Sequence, residues 1–464
     1  MDLHQRLVRD AFVPLSLWRA GETAQSRYFR EFERSQWLPP EQIRSLQLTR
    51  LTALLRHAYE QCPFYQERCD QAGLRFRDLR RLEDLRALPP LEKREIQDSR
   101  DAMVARNWPR ADLLPNQTGG STGTPVPFFL STDRKCSRAA ATLRHNRWAG
   151  WEVGDKAAVI WGAPRDRPAD GWRARLRGLL LREPMWLDAG HITEAKLVAF
   201  HQALLRHRPQ IIQAYARSAV LFARYLREQN LVAHRPRALV TSAEVLECQD
   251  RQLLERVFGC PVFDRYGCRE VSVIASECSA HDGLHVMAEG LYVEIETPEG
   301  PACPGQMGAV LVTDLLNYAM PLIRYRIGDM ATWAPGPCGC GRGLPRLQSV
   351  AGRVTEFLVG CNGRLVSGVF LATYVVAHRP GLGQVQIRQD RPAAVTYRVK
   401  PGRDFCRAED ADYLRCASRQ HLGERTEVEV EIVDDLPAEP SGKFLFSRST
   451  VTPEFLTKSA PVHS

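Results

Sequence analysis

The chain has 464 residues, 44% of them hydrophobic, so it can bury more than one core and is expected to fold as two or three units. Its formal charge of +9 rests on arginine, since only seven lysines occur, and the arginines alternate with acids instead of clustering, so no nucleic-acid partner is expected. Thirteen cysteines at irregular spacing fit reduced thiols and a metal better than a disulfide framework, and without an 18-residue apolar run or an N-terminal signal core the reading is cytoplasmic, with no membrane insertion.

The first hundred residues read as helices. "QIRSLQLTRLTALLRHAYEQ" sets Ile43, Leu46, Leu48, Leu51, Leu54 and Leu55 at roughly helical spacing, "CPFYQER" breaks the pattern, and "LRALPPLEKREIQD" leads into another short helix. Next comes "QTGGSTGTPVPF", Gln117 to Phe128. From about 115 to 330, short apolar runs ("KAAVIWG", "PQIIQAY", "RALVTSAE", "CPVFDRYG") alternate with amphipathic stretches ("ITEAKLVAFHQALLRHR", "RSAVLFARYLREQN", "ECQDRQLLERVFG"). Strand and helix taking turns predict an α/β unit with substantially parallel sheet. One basic amphipathic run, "WRARLRGLLLR" from Trp172 to Arg182, reads as a solvated helix face in preference to a contact with phosphate or membrane. Within 285 to 333, "HVMAEGLYVEIETPEG" and "GAVLVTDLLN" predict antiparallel strands. From about 354, "QVQIRQ", "AVTYRVK" and "EVEVEIV" predict strands around the helix "AEDADYLRCASRQHLG".

The glycine-rich stretch has three candidate chemistries. Gly119-Gly120-Ser121-Thr122-Gly123 spells a hydrolase nucleophile elbow, which would make Ser121 a nucleophile. An elbow runs directly into a helix, whereas Pro125 and Pro127 follow within six residues and oppose one. A Walker loop ends in G-K-[ST], and no lysine stands here. What remains is a loop whose backbone N–H groups and hydroxyls wrap polyphosphate oxygens, with the prolines launching the strand "VPFFLS". A separate signal lies in "ECSAHDGLH" and "CGCGR". Cys278, His281 or His285, Cys338 and Cys340 sit at loop punctuation between β segments, where a closed tetrahedral Cys₃His zinc could staple two connections.

After the glycine-rich stretch come, in order, "TSAE" (Thr241 to Glu244), "YGCRE" (Tyr266 to Glu270), "RYRIGD" (Arg324 to Asp329), "AGR" (Ala351 to Arg353) and "SGK" (Ser441 to Lys443). This set resembles the adenylate-forming superfamily of acyl-CoA synthetases, non-ribosomal adenylation domains and luciferases. Through "PFYQER", "LPPLEKREIQ", "DLLNYAMPLIRYRIGD" and "CGCGR" the chain most resembles the phenylacetate–CoA ligase family and its capsular-polysaccharide-protein relatives. The resemblance implies a large α/β N-terminal domain with an antiparallel part, residues 1–354, and a small mobile α+β C-terminal domain, 355–464. It implies ATP, Mg²⁺ and CoA, with formation of an acyl-adenylate from a carboxylic acid and transfer of the acyl group to a thiol.

Residue by residue, Thr118, Gly119, Gly120, Ser121, Thr122 and Gly123 then correspond to the phosphate loop. Ala243, Glu244, Tyr266, Gly267, Asp329 and Arg353 correspond to nucleotide-binding positions, with Tyr266 stacked on adenine and Asp329 accepting from the ribose hydroxyls. Glu270 is the implied Mg²⁺ ligand and Lys443 the implied catalytic lysine. Taken alone, Glu270 would read as a solvated strand-end cap and Asp329 as a turn aspartate. Trp161, Tyr215 and Ala243 are the expected acyl-pocket lining, between the strands carrying "TSAE" and "YGCRE"; an aromatic wall fits an aryl or arylacetic acid. "GLH" resembles the branch's pattern and favours His285 over His281 as zinc ligand. Two positions depart from the superfamily: Val126 stands where many members have lysine, and Thr355-Glu356 stand where the hinge residue falls. An amine or a carrier-protein thiol stays open as the acceptor, and a homodimer stays open as the assembly.

Overall fold

A computed structural model of the protein describes residues 3–117, 126–161, 178, 180–189, 192–353, 357–361, 365–436 and 445–451. Its centre is one twelve-stranded sheet of two halves. In one half five strands run parallel, in the spatial order Met185–Asp188, Ala157–Trp161, Ile211–Tyr215, Ala238–Ser242 and Val262–Cys268. Parallel neighbours need crossovers, and the amphipathic stretches supply them as the helices Glu194–His207, Ala216–Glu228 and Cys248–Phe258. Strands covered on both faces lose the polar alternation, which is why "AAVIW" and "ALVTS" are buried almost throughout.

At Val262–Cys268 the sheet changes sense. The tight turn at 269–271 reverses the chain into Ser272–Glu277, and antiparallel pairing then continues through Leu284–Val286, Arg346–Arg353, Tyr325–Trp333, Met307–Asp314, Leu291–Thr297 and Gly300–Pro301. Gly267 allows this reversal, because a Cβ there would lie 2.4 Å from the carbonyl oxygen of Ser272.

The helices of the first hundred residues cover the antiparallel half. Helix Pro40–Gln61 buries Ile43, Leu51, Leu54 and Leu55, but Leu46 and Leu48 are only half-buried. Gln47 lies between them, buried, with Nε2 donating to the carbonyl of Leu291 at 2.9 Å. The break at "CPFYQER" is one residue long: Cys62 is extended and Pro63 opens a new helix, Pro63–Gln71, where its missing N–H costs nothing. "LPPLEK" adds an unexpected contact, a parallel bridge from Leu91 to Tyr325 made by Leu91 N–H to Arg324 C=O (2.9 Å) and Arg326 N–H to Leu91 C=O (3.0 Å). Two buried ion pairs tie helix Thr132–Trp148 down, Arg134 to Asp314 at 2.8 Å and Arg144 to Glu289 at 2.6 Å.

A second, four-stranded sheet lies at the C-terminal end, in the order Glu427–Ile432, Ala394–Lys400, Gln384–Arg391, Ser447–Ser449. It shares its own core, including Leu358, Leu371, Ile387, Tyr397 and Leu414, with the helices Gly368–His378 and Arg407–Leu422. The fourth strand was not expected from the sequence, being three residues of polar "SRS". Among the described residues no helix is long and apolar enough to cross a membrane.

Candidate active site

The carboxyl ends of parallel strands form the open edge where α/β sheets bind ligands, because the following loops all leave from that side. Four neighbouring strands bring their expected site residues to that edge. Trp161 and Tyr215 end their strands with ring centroids 4.3 Å apart and planes inclined by 44°. Ala243 follows the next strand with φ +71°, a left-handed conformation that a residue with a Cβ adopts only under local constraint. Its neighbour Glu244 accepts, through Oε2, the backbone N–H of Arg217 at 2.9 Å.

Tyr266, near the end of Val262–Cys268, donates its hydroxyl to Asp329 Oδ2 at 2.7 Å. Asp329 is therefore no turn residue: it sits within strand Tyr325–Trp333, opposite Arg353 in the neighbouring strand. Glu270 is likewise no solvated cap. It is 8% exposed in the turn that ends the parallel half, and Oε1 accepts the hydroxyl of Tyr325 at 2.9 Å. Burial pushes both phenols, Tyr266 and Tyr325, well above the ordinary tyrosine range, so each remains a donor at physiological pH. The two halves of the sheet thus meet through two tyrosine–carboxylate pairs.

Several expected site residues lie outside the described set: Thr118, Gly119, Gly120, Ser121, Thr122 and Gly123 of the phosphate loop, Lys443, and the hinge candidates Thr355 and Glu356. The residues flanking the loop are described. Gln117 pairs with Pro127 in an antiparallel ladder, and Val126 is fully buried. Arg217 and Phe446 went unnoticed in the sequence. The Arg217 guanidinium donates to Asp250 Oδ2 at 2.8 Å and lies 4.1 Å from the ring centroid of Phe446, three residues beyond Lys443. Tyr325 was inside a quoted motif, but spacing alone could not say that it reaches Glu270.

The cysteine–histidine signal resolves into one cluster. Ligand atoms of Cys278, His285, Cys338 and Cys340 all lie within 4.8 Å of one another. The Cys278 and Cys338 sulfurs are 3.8 Å apart, and Cys340 Sγ lies 3.2 Å from His285 Nε2. A tetrahedron with metal–sulfur bonds of about 2.3 Å has sulfur–sulfur edges of about 3.8 Å. His285 Nδ1 faces the Leu344 carbonyl at 3.3 Å, the outer hydrogen bond that leaves Nε2 as the ligand nitrogen. Burial draws this imidazole down to about 4 and so keeps it neutral. His281 stands apart, against Glu277 at 3.2 Å and the ring of Phe263.

A family model described as the CapK C-terminal domain matches residues 358–449. The chain is similar to the phenylacetate-coenzyme A ligase of Escherichia coli (strain K12), 27% identical over 327 residues, 69% of this chain and 73% of that protein. It is similar also to Protein CapK of Staphylococcus aureus, 21% identical over 374 residues, 79% of this chain and 81% of that protein. Among solved structures, 2-hydroxyisobutyryl-CoA ligase in the postadenylation state, in complex with 2-HIB-AMP, shares the fold with a TM-score of 0.72 at 21% identity, over 90% of this chain and 91% of that one.

Proposed function

The chain is a relative of the phenylacetate–CoA ligases, in the CapK-like branch, and from that premise we propose that it is an AMP-forming acid–CoA ligase whose acid is aryl or arylacetic. The observation that carries this reading is the convergence of Trp161, Tyr215, Ala243 and Tyr266 on one sheet edge, beside the pairs Tyr266–Asp329 and Tyr325–Glu270. A carboxylate is a poor electrophile. In the first step a carboxylate oxygen of the acid attacks the α-phosphorus of ATP and pyrophosphate leaves; in the second, the CoA sulfur attacks the acyl carbon and AMP leaves.

Each residue then has a task. Asp329, held by the Tyr266 hydroxyl, offers two acceptor oxygens to the ribose. The rings of Trp161 and Tyr215, with Ala243 in the same apolar cluster, are assigned to the wall that receives the acid. The glycines and hydroxyls from Thr118 to Gly123 are assigned to the phosphates, and Arg353 to the nucleotide. Glu270, a buried carboxylate held by the Tyr325 hydroxyl, fits a hard divalent cation, and bound Mg²⁺ would neutralise charge on the phosphate oxygens. Lys443 is assigned to the carboxylate and α-phosphate as charge moves onto pyrophosphate. The seating of Phe446 under Arg217, two residues beyond the strand end Tyr215, supports that assignment. We assign residues 1–354 to the adenylation domain and 355–464 to the mobile domain, which would withdraw Lys443 for the second step.

The donor set of three thiols and one imidazole supports a closed structural zinc at Cys278, His285, Cys338 and Cys340. ATP–pyrophosphate exchange across a panel of carboxylic acids tests the function. Exchange stimulated by an aryl or arylacetic acid is expected, and CoA should then yield the thioester. Exchange with none of the acids rejects activation; product formed only with an amine or a carrier-protein thiol rejects CoA.

A further inference from the structure

The N-terminal helical segment turns only part of its apolar surface inward. Across residues 3–19, running through Leu3–Leu7, a π-helical turn at Val8–Phe12 and Val13–Arg19, the inward side chains include Gln5, 8% exposed, and Val8. Gln5 Nε2 donates to Asp155 Oδ1 at 2.7 Å, and Gly154 comes so close that a Cβ on it would lie 2.7 Å from the Gln5 carbonyl. The segment is thereby pinned with Val8 buried and Phe12, Val13 and Leu17 half-buried, and with four large apolar residues left outward: Leu3 is 75% exposed, Leu7 43%, Leu15 48% and Trp18 68%. Leu180, 42% exposed, lies beside them, its carbonyl accepting from His4 Nε2 at 3.3 Å.

Charge selects what covers this face. Exposed Arg6 and Arg19 stand one toward each end of the stripe, and its acid, Asp10, is already engaged by Arg9 at 2.7 Å. A second copy on the same face about a two-fold axis would bring Arg6 of one against Arg19 of the other if the helices ran antiparallel, and each arginine against its own copy if they ran parallel, like charge to like in both cases. An anionic lipid surface satisfies both ends at once, with leucines and an indole entering the headgroup boundary and arginines reaching phosphate. We propose that residues 3–19 form an interfacial helix that docks the protein on anionic bilayers without crossing them.

The test is co-sedimentation of the full-length protein with vesicles of phosphatidylcholine, with and without phosphatidylglycerol. Binding is expected to the anionic vesicles at least tenfold more strongly than to neutral ones, to weaken with salt, and to be lost in Leu7→Asp/Trp18→Asp. The variant Arg6→Glu/Arg19→Glu, changed only at exposed positions, should bind about tenfold or more weakly, on the scale of basic side chains near an anionic surface. Both variants should keep the wild-type melting temperature and wild-type ATP–pyrophosphate exchange in solution. No binding to either vesicle, or binding unchanged in both variants, overturns the proposal. A wild-type dimer that dissociates in Leu7→Asp/Trp18→Asp overturns it too, by assigning the face to a second copy.

Discussion

Tyr325 donates to Glu270 from the strand that also carries Asp329, so one strand orients both carboxylates of the candidate site, Asp329 directly and Glu270 through this hydroxyl. If Glu270 holds Mg²⁺, Tyr325 acts as a positioning residue. Tyr325→Phe should raise the Mg²⁺ concentration for half-maximal pyrophosphate exchange by about tenfold or more, the usual cost of losing an outer hydrogen bond to a metal ligand, with little change at saturating Mg²⁺. An unaltered Mg²⁺ requirement would separate the tyrosine from the metal. Glu270→Gln should keep the fold but lose most exchange at any Mg²⁺, because an amide is a far weaker ligand than a carboxylate. Lys443→Ala should slow adenylate formation by roughly 10²-fold, the scale of one preorganised transition-state contact, and leave acyl transfer from supplied acyl-adenylate nearly unchanged. Equal losses in both half-reactions would assign the lysine to folding or docking instead.

The cysteine–histidine cluster works at the level of elements. Cys278 follows strand Ser272–Glu277, His285 lies in Leu284–Val286, and Cys338 and Cys340 lie between Tyr325–Trp333 and Arg346–Arg353. The strands Leu284–Val286 and Arg346–Arg353 pair over only two positions, Arg346 with His285 and Leu347 with Leu284, so a metal would hold together a short ladder. Purified protein should contain close to one zinc, measured by elemental analysis, and Cys338→Ser should lower both the metal content and the melting temperature. A loss of about 3 kcal/mol would move the midpoint by roughly 6–12 °C in a large domain. Without metal, the folded His285 value near 4 lies below its ordinary 6.5. The unfolded chain then takes up the proton first. This stabilisation is complete above pH 6.5, is lost as pH falls through 4, and is on the order of 3 kcal/mol at most. Thermal melts of the chelated protein between those two pH values should show the decline, and His285→Gln should flatten it.

For the whole molecule, the proposed two-step reaction would have the C-terminal unit approach the sheet edge for one step and leave for the other. On that proposal the Arg217–Phe446 contact would belong to the approach. Cation–π contacts contribute about 0.5–2 kcal/mol, so Phe446→Ala should lower pyrophosphate exchange by roughly 2- to 30-fold. Thioester formation from supplied acyl-adenylate should be spared. An equal fall in both steps would show that Phe446 serves its own core, against which it also packs.

The sequence alone was enough for the alternation of strand and helix, the antiparallel section and the four metal-ligand candidates, because each is written in local periodicity or in residue type. "AAVIW" must be a covered strand. It missed the strand Ser447–Ser449, whose three polar residues carry no period, and the one-residue length of the break at Cys62. It read Glu270 and Asp329 as exposed or turn residues when taken alone, since the partners that bury them are 55 and 63 positions away along the chain. Spacing alone left His281 and His285 equivalent; the resemblance favoured His285, and the pairing of distant strands is what brings Cys338 and Cys340 near it. Local order follows from side-chain spacing along the backbone, whereas a site is made of groups that meet across it, and which groups meet is decided by how one sheet joins its parallel and antiparallel halves.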